Sequence, residues 1–261
     1  MSKNIIYCFT GTGNSLYIAK RIATEIGNCE IKAIGKSKKG ELQNNYEKIG
    51  FVFPVYFLGA PSAVNQFVTQ LKIMQNTGAY FFAVATYGFM AGYAGAEVLQ
   101  LLANKGAKNF FEGKLKMHSN FIVAETMQEQ TPSEAKKEEQ NLQYLIKEIV
   151  GGVTNKRRKE NNLIRAYHNW QLKRVPNTDK NFSISNNCTS CGICKAVCPV
   201  GNIDMPIGIP QFNHKCQQCM ACIQYCPQKA INYKDKTQNK NRYQNAHIKW
   251  TELKKQNQTN S

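Results

Sequence analysis

Between positions 188 and 226 the chain writes one cysteine pattern twice: Cys188-x2-Cys191-x2-Cys194-x3-Cys198-Pro199, then Cys216-x2-Cys219-x2-Cys222-x3-Cys226-Pro227. The period is 28 residues, and the echo runs past the prolines, since Ile203 and Ile231 each stand five residues after a fourth cysteine. Of the ten cysteines only Cys8 and Cys29 lie elsewhere, so composition marks a boundary between two modules, as the length of 261 residues also leads one to expect. In a reducing compartment, clustered thiols bind metal or do redox work more readily than they form disulfides. Zinc ribbons use pairs of CxxC and give no role to a third cysteine two residues on or to a Cys-Pro step.

Three thiolates spaced by two residues fold round one face of an iron-sulfur cluster, and a fourth held by a Cys-Pro turn reaches across to the other cluster. Over residues 182–233 the sequence resembles the two-cluster bacterial ferredoxins. The resemblance implies one [4Fe-4S] cluster on Cys188, Cys191, Cys194 and Cys226, and a second on Cys216, Cys219, Cys222 and Cys198. The small residues Gly192, Ala196 and Ala221 are expected to let backbone amides approach the sulfides. Two clusters read as a relay, because one metal would suffice to staple so small a module.

The first half alternates strands and helices, which argues a parallel, doubly wound sheet. Apolar runs predict strands at 3–9, 30–34, 49–55, 79–86 and 120–124. Helical spacing predicts helices at 16–26, 62–71 and 95–104, with Gly27 as a left-handed cap. Thr131-Pro132-Ser133-Glu134 reads as a capping box opening a helix to about Val150.

After the first strand comes the loop Phe9-Thr10-Gly11-Thr12-Gly13-Asn14-Ser15. A nucleotide-hydrolase P-loop needs a second glycine where Leu16 stands, followed by a lysine; the dinucleotide fingerprint needs its third glycine at the same place. What remains is a phosphate cradle without cations: backbone amides at a helix N-terminus, close approach at Gly11 and Gly13, and the donors Thr10, Thr12, Asn14 and Ser15. An ordinary strand-to-helix turn is the alternative.

Here the sequence resembles the flavodoxins, over residues 3 to about 150. That implies FMN and a five-stranded sheet of order 2-1-3-4-5, with ring-binding loops after the third and fourth strands. Those loops hold Pro54, Tyr56, Phe57 and Gly59, then Thr86, Tyr87, Gly88 and Gly92, with Phe89 and Tyr93 behind Tyr56 and Tyr87 as ring partners. Packing of these aromatics onto the core is the alternative. No Asp or Glu occurs from Lys48 to Ala96, which predicts a fully reduced flavin less disfavoured than among carboxylates.

The expected organisation is a flavodoxin-like α/β domain at 1–152, a basic, partly helical linker at 153–181, a small α+β domain with two [4Fe-4S] clusters at 182–233, and a polar basic tail at 234–261. One docked helix is expected around His247, Ile248, Trp250 and Leu253, with a loose end. The net charge of +17 lies mostly on the flanks of the cysteine module: +6 over 151–181 and +5 over 234–261, against +2 for 182–233. The combination is similar to the EFR1 family of fused flavodoxin-ferredoxin proteins of anaerobes.

That resemblance implies electron transfer between FMN and the clusters, with redox proteins as partners: an acidic ferredoxin, a flavodoxin or an oxidoreductase. The alternative is a flavin-dependent reductase of a small molecule, with Tyr56 or Tyr87 as proton donor and His118, His168, His214 and His247 outside the flavin loops. Neither nucleic acid nor membrane is expected as a partner. No apolar run approaches the roughly 20 residues of a bilayer crossing, and the start MSKNIIYCFTG offers no secretory cleavage site, so a cytoplasmic location is expected.

Overall fold

The computed structural model describes residues 3–35, 42, 44–156, 158 and 161–258. Within the predicted basic linker, Arg157 and Lys159 lie outside the described residues, as do the last three residues of the tail.

Strand β1 (Asn4–Cys8) is buried along its length and runs into the glycine loop and helix α1 (Asn14–Ile26). Then come β2 (Cys29–Ala33), β3 (Lys48–Pro54), α2 (Ser62–Gln70), β4 (Tyr80–Tyr87), α3 (Ala94–Ala103), β5 (Asn109–Lys116) and α4 (Pro132–Val150). The five strands pair in parallel in the order β2-β1-β3-β4-β5. Alternate strand residues face opposite ways. Ile5, Tyr7, Phe51, Phe53 and Phe81 pack against α2 and α3, whereas Ile6, Cys8, Val52, Phe82 and Val84 pack against α1 and α4.

The capping box forms: Thr131 Oγ1 accepts from the Glu134 amide at 3.3 Å, and Glu134 accepts from the Thr131 amide at 2.9 Å. Gly27 has φ 64° but ψ 163°, so α1 ends in an extended glycine, not a left-handed cap.

The fifth strand lies at Asn109–Lys116, not at 120–124. As an edge strand it leaves Asn109, Lys114 and Lys116 in solvent, so its sequence is half polar. Phe121, Ile122 and Val123 are apolar for another reason: they turn against the cysteine module and pack with Cys194, Cys198 and Cys222.

Beyond the sheet, α5 (Asn162–Arg174) is capped by Asn161. It leads through a 3-10 turn to β6 (Phe182–Ile184), α6 (Ile193–Val197), β7 (Ile203–Asp204), β8 (Gln211–Phe212), α7 (Ala221–Gln224) and β9 (Ile231–Tyr233). β6 pairs antiparallel with β9, and β7 with β8. The 28-residue repeat is written into the backbone. Ser190 and Gln218, Gly192 and Met220, and Gly201 and Lys229 are pairs one period apart, and all six have positive φ.

The tail docks on the sheet domain through its last helix and the residues before it. Ile248 and Leu253, the latter in α8 (Trp250–Gln258), are buried in the same core as Ile18 and Ile22 of α1. Lys20 pairs with Glu252 at 2.6 Å. No helix among the described residues is long and apolar enough to cross a membrane.

Candidate cofactor sites

At the C-terminal edge of the sheet, the loops after β1, β3, β4 and β5 enclose a cavity of about 360 Å³. Of the predicted flavin residues, the buried Tyr93 does not line it, and of the others all but Gly13, Gly59 and Gly92 do. Those three stand behind the wall: Gly13 against Asn245 and Ile248, Gly59 against the His168 ring, and Gly92 against the Leu58 carbonyl.

The glycine loop is arranged to donate. Thr10 Oγ1 accepts from the Gly13 amide at 3.2 Å, and Thr12 Oγ1 accepts from the Asn120 side chain. Each hydroxyl therefore keeps its own proton for an acceptor in the cavity. Ser15 Oγ pairs with Thr86 Oγ1 at 2.9 Å. The first turn of α1 carries no acidic residue, so its amides and dipole favour an anion. No Lys or Arg is among the described lining residues. The tail fixes this loop from outside: the Asn245 amide donates to Thr12 O at 3.1 Å, and Tyr243 Oη and Asn245 Nδ2 donate to Asn14 Oδ1 at 2.7 and 3.1 Å.

The loop after β3 is a tight turn with Phe57 and Leu58 both left-handed, at φ 51° and 67°. Side chains with a Cβ rarely adopt this conformation, so outside contacts must hold it. Tyr93 donates its amide to Leu58 O at 2.9 Å, and His168 Nδ1 donates to Phe57 O at 3.1 Å. Burial pushes the His168 pKa down, with Glu97 3.7 Å from Nε2. Burial, then the neighbouring Cys219 and Cys216, hold the Tyr56 hydroxyl well above the usual phenol range.

Residues after β5 complete the cavity, among them Met117, His118, Asn120 and Glu125, together with Tyr167 of α5 and Cys219 of the cysteine module. His118 thus stands in the flavin loops' cavity, contrary to expectation. Glu125 brings in the one carboxylate among the described lining residues, which the acid-free window 48–96 did not foreshadow. Placing the fifth strand at 109–116 would have put 117–120 at the ligand-binding edge of such a sheet.

The eight cysteines fall into two sets of four. Cys188, Cys191, Cys194 and Cys226 line one small cavity, and Cys198, Cys216, Cys219 and Cys222 line another. Backbone amides point at three of the sulfurs at 3.2 Å: Asn202 to Cys198, Gln218 to Cys216, and Ala230 to Cys226. The first and third are the same bond one repeat apart, and the Ala221 amide also hydrogen-bonds to Cys219. Among the described residues no group of His, Cys, Asp or Glu is set to hold a single ion.

The two kinds of site touch. Cys219 lines both the flavin-loop cavity and its four-cysteine cavity. A Cβ on Gly11 would lie 2.8 Å from Cys219 O, so only glycine allows this approach.

A model of the flavodoxin domain matches residues 5–141. The chain belongs to the flavodoxin-domain family. A putative flavoprotein from Bacteroides uniformis is 19% identical over 55% of this chain and 97% of its own, with a TM-score of 0.39. A flavoprotein from Lactobacillus acidophilus in complex with FMN is 15% identical over 44% and 93%, with a TM-score of 0.35. An FMN-dependent NADH-azoreductase from Bacillus anthracis in complex with FMN is 10% identical over 59% and 100%, at 0.40. No curated protein sequence matches. The flavodoxin fold is consistent with FMN-based redox activity, and the donors and aromatics of the cavity fit that group.

Proposed function

We propose that this flavodoxin-family chain binds FMN and two [4Fe-4S] clusters and passes electrons between them, exchanging electrons with separate redox proteins, as the EFR1-type fusions are expected to do. Bound FMN exchanges electrons singly or in pairs, and each cluster exchanges one. Thr10, Thr12 and Ser15, with the amides at the start of α1, would hold the phosphate. Tyr56, Phe57 and Tyr87 would offer aromatic faces to the ring. The two cysteine sets would hold the clusters, with amides on Cys198, Cys216 and Cys226 favouring the charged sulfurs.

The observation that carries the reading is the position of Cys219 on the wall shared by a four-cysteine set and the flavin cavity. Oxygen-free purification followed by iron, sulfide and flavin assays should give about eight irons and about one FMN per chain. Cys219→Ser should lose one cluster's absorbance and electron paramagnetic signal while retaining FMN. Material that binds no iron, or binds zinc in its place, contradicts the reading.

His118 supports a second reading, reduction of a small molecule, by supplying an imidazole in the cavity. On that reading His118→Ala slows turnover of a quinone or azo acceptor and leaves one-electron exchange with proteins unchanged. On the carrier reading it changes neither.

A further inference from the structure

The outward face of α5 belongs to neither cofactor module, yet it borders the flavin cavity. Leu163, Tyr167 and Trp170 fall on one side of the helix and are 81%, 44% and 52% exposed. Tyr167 lines the cavity mouth together with Phe89 and Met90, which are 83% and 51% exposed. The Tyr167 and Trp170 rings lie 6.4 Å apart, which joins the strip. Single exposed apolar residues are ordinary, but several gathered along one helix face and at the mouth of one cavity mark a contact surface.

Charge selects the occupant. α5 carries Arg165, Lys173 and Arg174 and no Asp or Glu. The Arg174 guanidinium sits over the Trp170 ring at 4.5 Å, placing a cation beside the apolar strip. A second copy of the chain in a two-fold contact would set these cations against their own images. Carboxylates around a small apolar centre satisfy both features.

We propose that this face, from Trp170 and Arg174 to Phe89 at the cavity mouth, docks an acidic redox protein that exchanges electrons with the flavin. The inference rests on the electron-transfer reading above and adds to it the place and the chemistry of the partner. In each encounter a reduced cluster of the partner gives up one electron and the flavin in this chain gains it; a second encounter, with protons from solvent, completes the flavin's reduction.

The test is stopped-flow reduction of the FMN- and iron-loaded protein by a purified two-cluster ferredoxin of net negative charge, reduced with dithionite and freed of excess reductant. Lys173→Glu/Arg174→Glu should slow the second-order rate about tenfold at low salt and flatten its salt dependence. Trp170→Ser should slow it about tenfold at every salt concentration. FMN content, iron content and the unimolecular exchange between flavin and clusters should match wild type in both variants.

Wild-type rates in both variants, a salt-independent wild-type rate, or no reaction with the probe would overturn the proposal. So would a wild-type dimer that Trp170→Ser converts to monomer, since the occupant would then be a second copy. Absence of unimolecular exchange in wild type contradicts the electron-transfer reading, whereas the docking surface is judged on the bimolecular rates.

Discussion

At Gly92 an added methyl group would sit 1.9 Å from the Leu58 carbonyl oxygen, on a backbone with φ +53°. Neither the clash nor the conformation can be relieved by a side-chain movement. Gly92→Ala should cost about 2–4 kcal/mol in chemical denaturation, from strain and displaced backbone together, and should weaken FMN binding through the displaced turn. Glu125 acts differently, because its carboxylate lines the cavity and opposes any negative charge added there. Glu125→Gln should raise the flavin midpoint for the second electron in a potentiometric titration, and an unchanged midpoint would show the carboxylate to be remote from the ring. At the loop, Asn245→Ala removes the amide bond to Asn14 and should cost about 1 kcal/mol, with FMN affinity falling several-fold by fluorescence titration.

At the scale of elements, α5 is pinned by one buried imidazole. His168 donates from Nδ1 to Phe57 and is neutral in the fold because burial lowers its pKa. The unfolded chain holds a proton on this group below about pH 6.5, so the unfolded state binds more protons between that pH and the lower folded value. Stability should therefore be full above about pH 6.5 and decline as the pH falls from there toward the folded pKa. Thermal melts across pH 5–8 should show this fall in wild type and a smaller one in His168→Gln.

The same elements explain what was legible beforehand. Strands buried on both faces, β1, β3 and β4, announced themselves as apolar runs, and α4 announced itself by its capping box. β5 did not, because its edge-strand sequence sets Lys114 and Lys116 around Leu115, and its displacement hid His118 and Glu125 at the cavity edge. The roles of Tyr243 and Asn245 carried no local signal at all, since they act on Asn14, 229 and 231 residues away in sequence.

In the molecule as a whole the sheet and the cysteine module share a core. Val197, Ala221 and Tyr225 pack among Ile18, Ile22 and the α8 residue Leu253, and Tyr225 donates to Thr12 O at 3.0 Å. Ser62 donates to Gln217 at 2.9 Å, and Gln224 donates to Asn120 O at 2.8 Å, so polar bonds seal the same boundary. Removing iron with a chelator should accordingly loosen the glycine loop, seen as faster amide exchange at 12–14, along with the cysteine segments. The proposed function requires flavin and clusters to exchange electrons inside one polypeptide. Flash photoreduction of the loaded protein under argon, followed at the flavin and cluster wavelengths, tests it directly. Transfer between them should occur at a rate independent of protein concentration; a rate proportional to concentration, or a reduced centre that never passes its electron to the other, would contradict the proposed function.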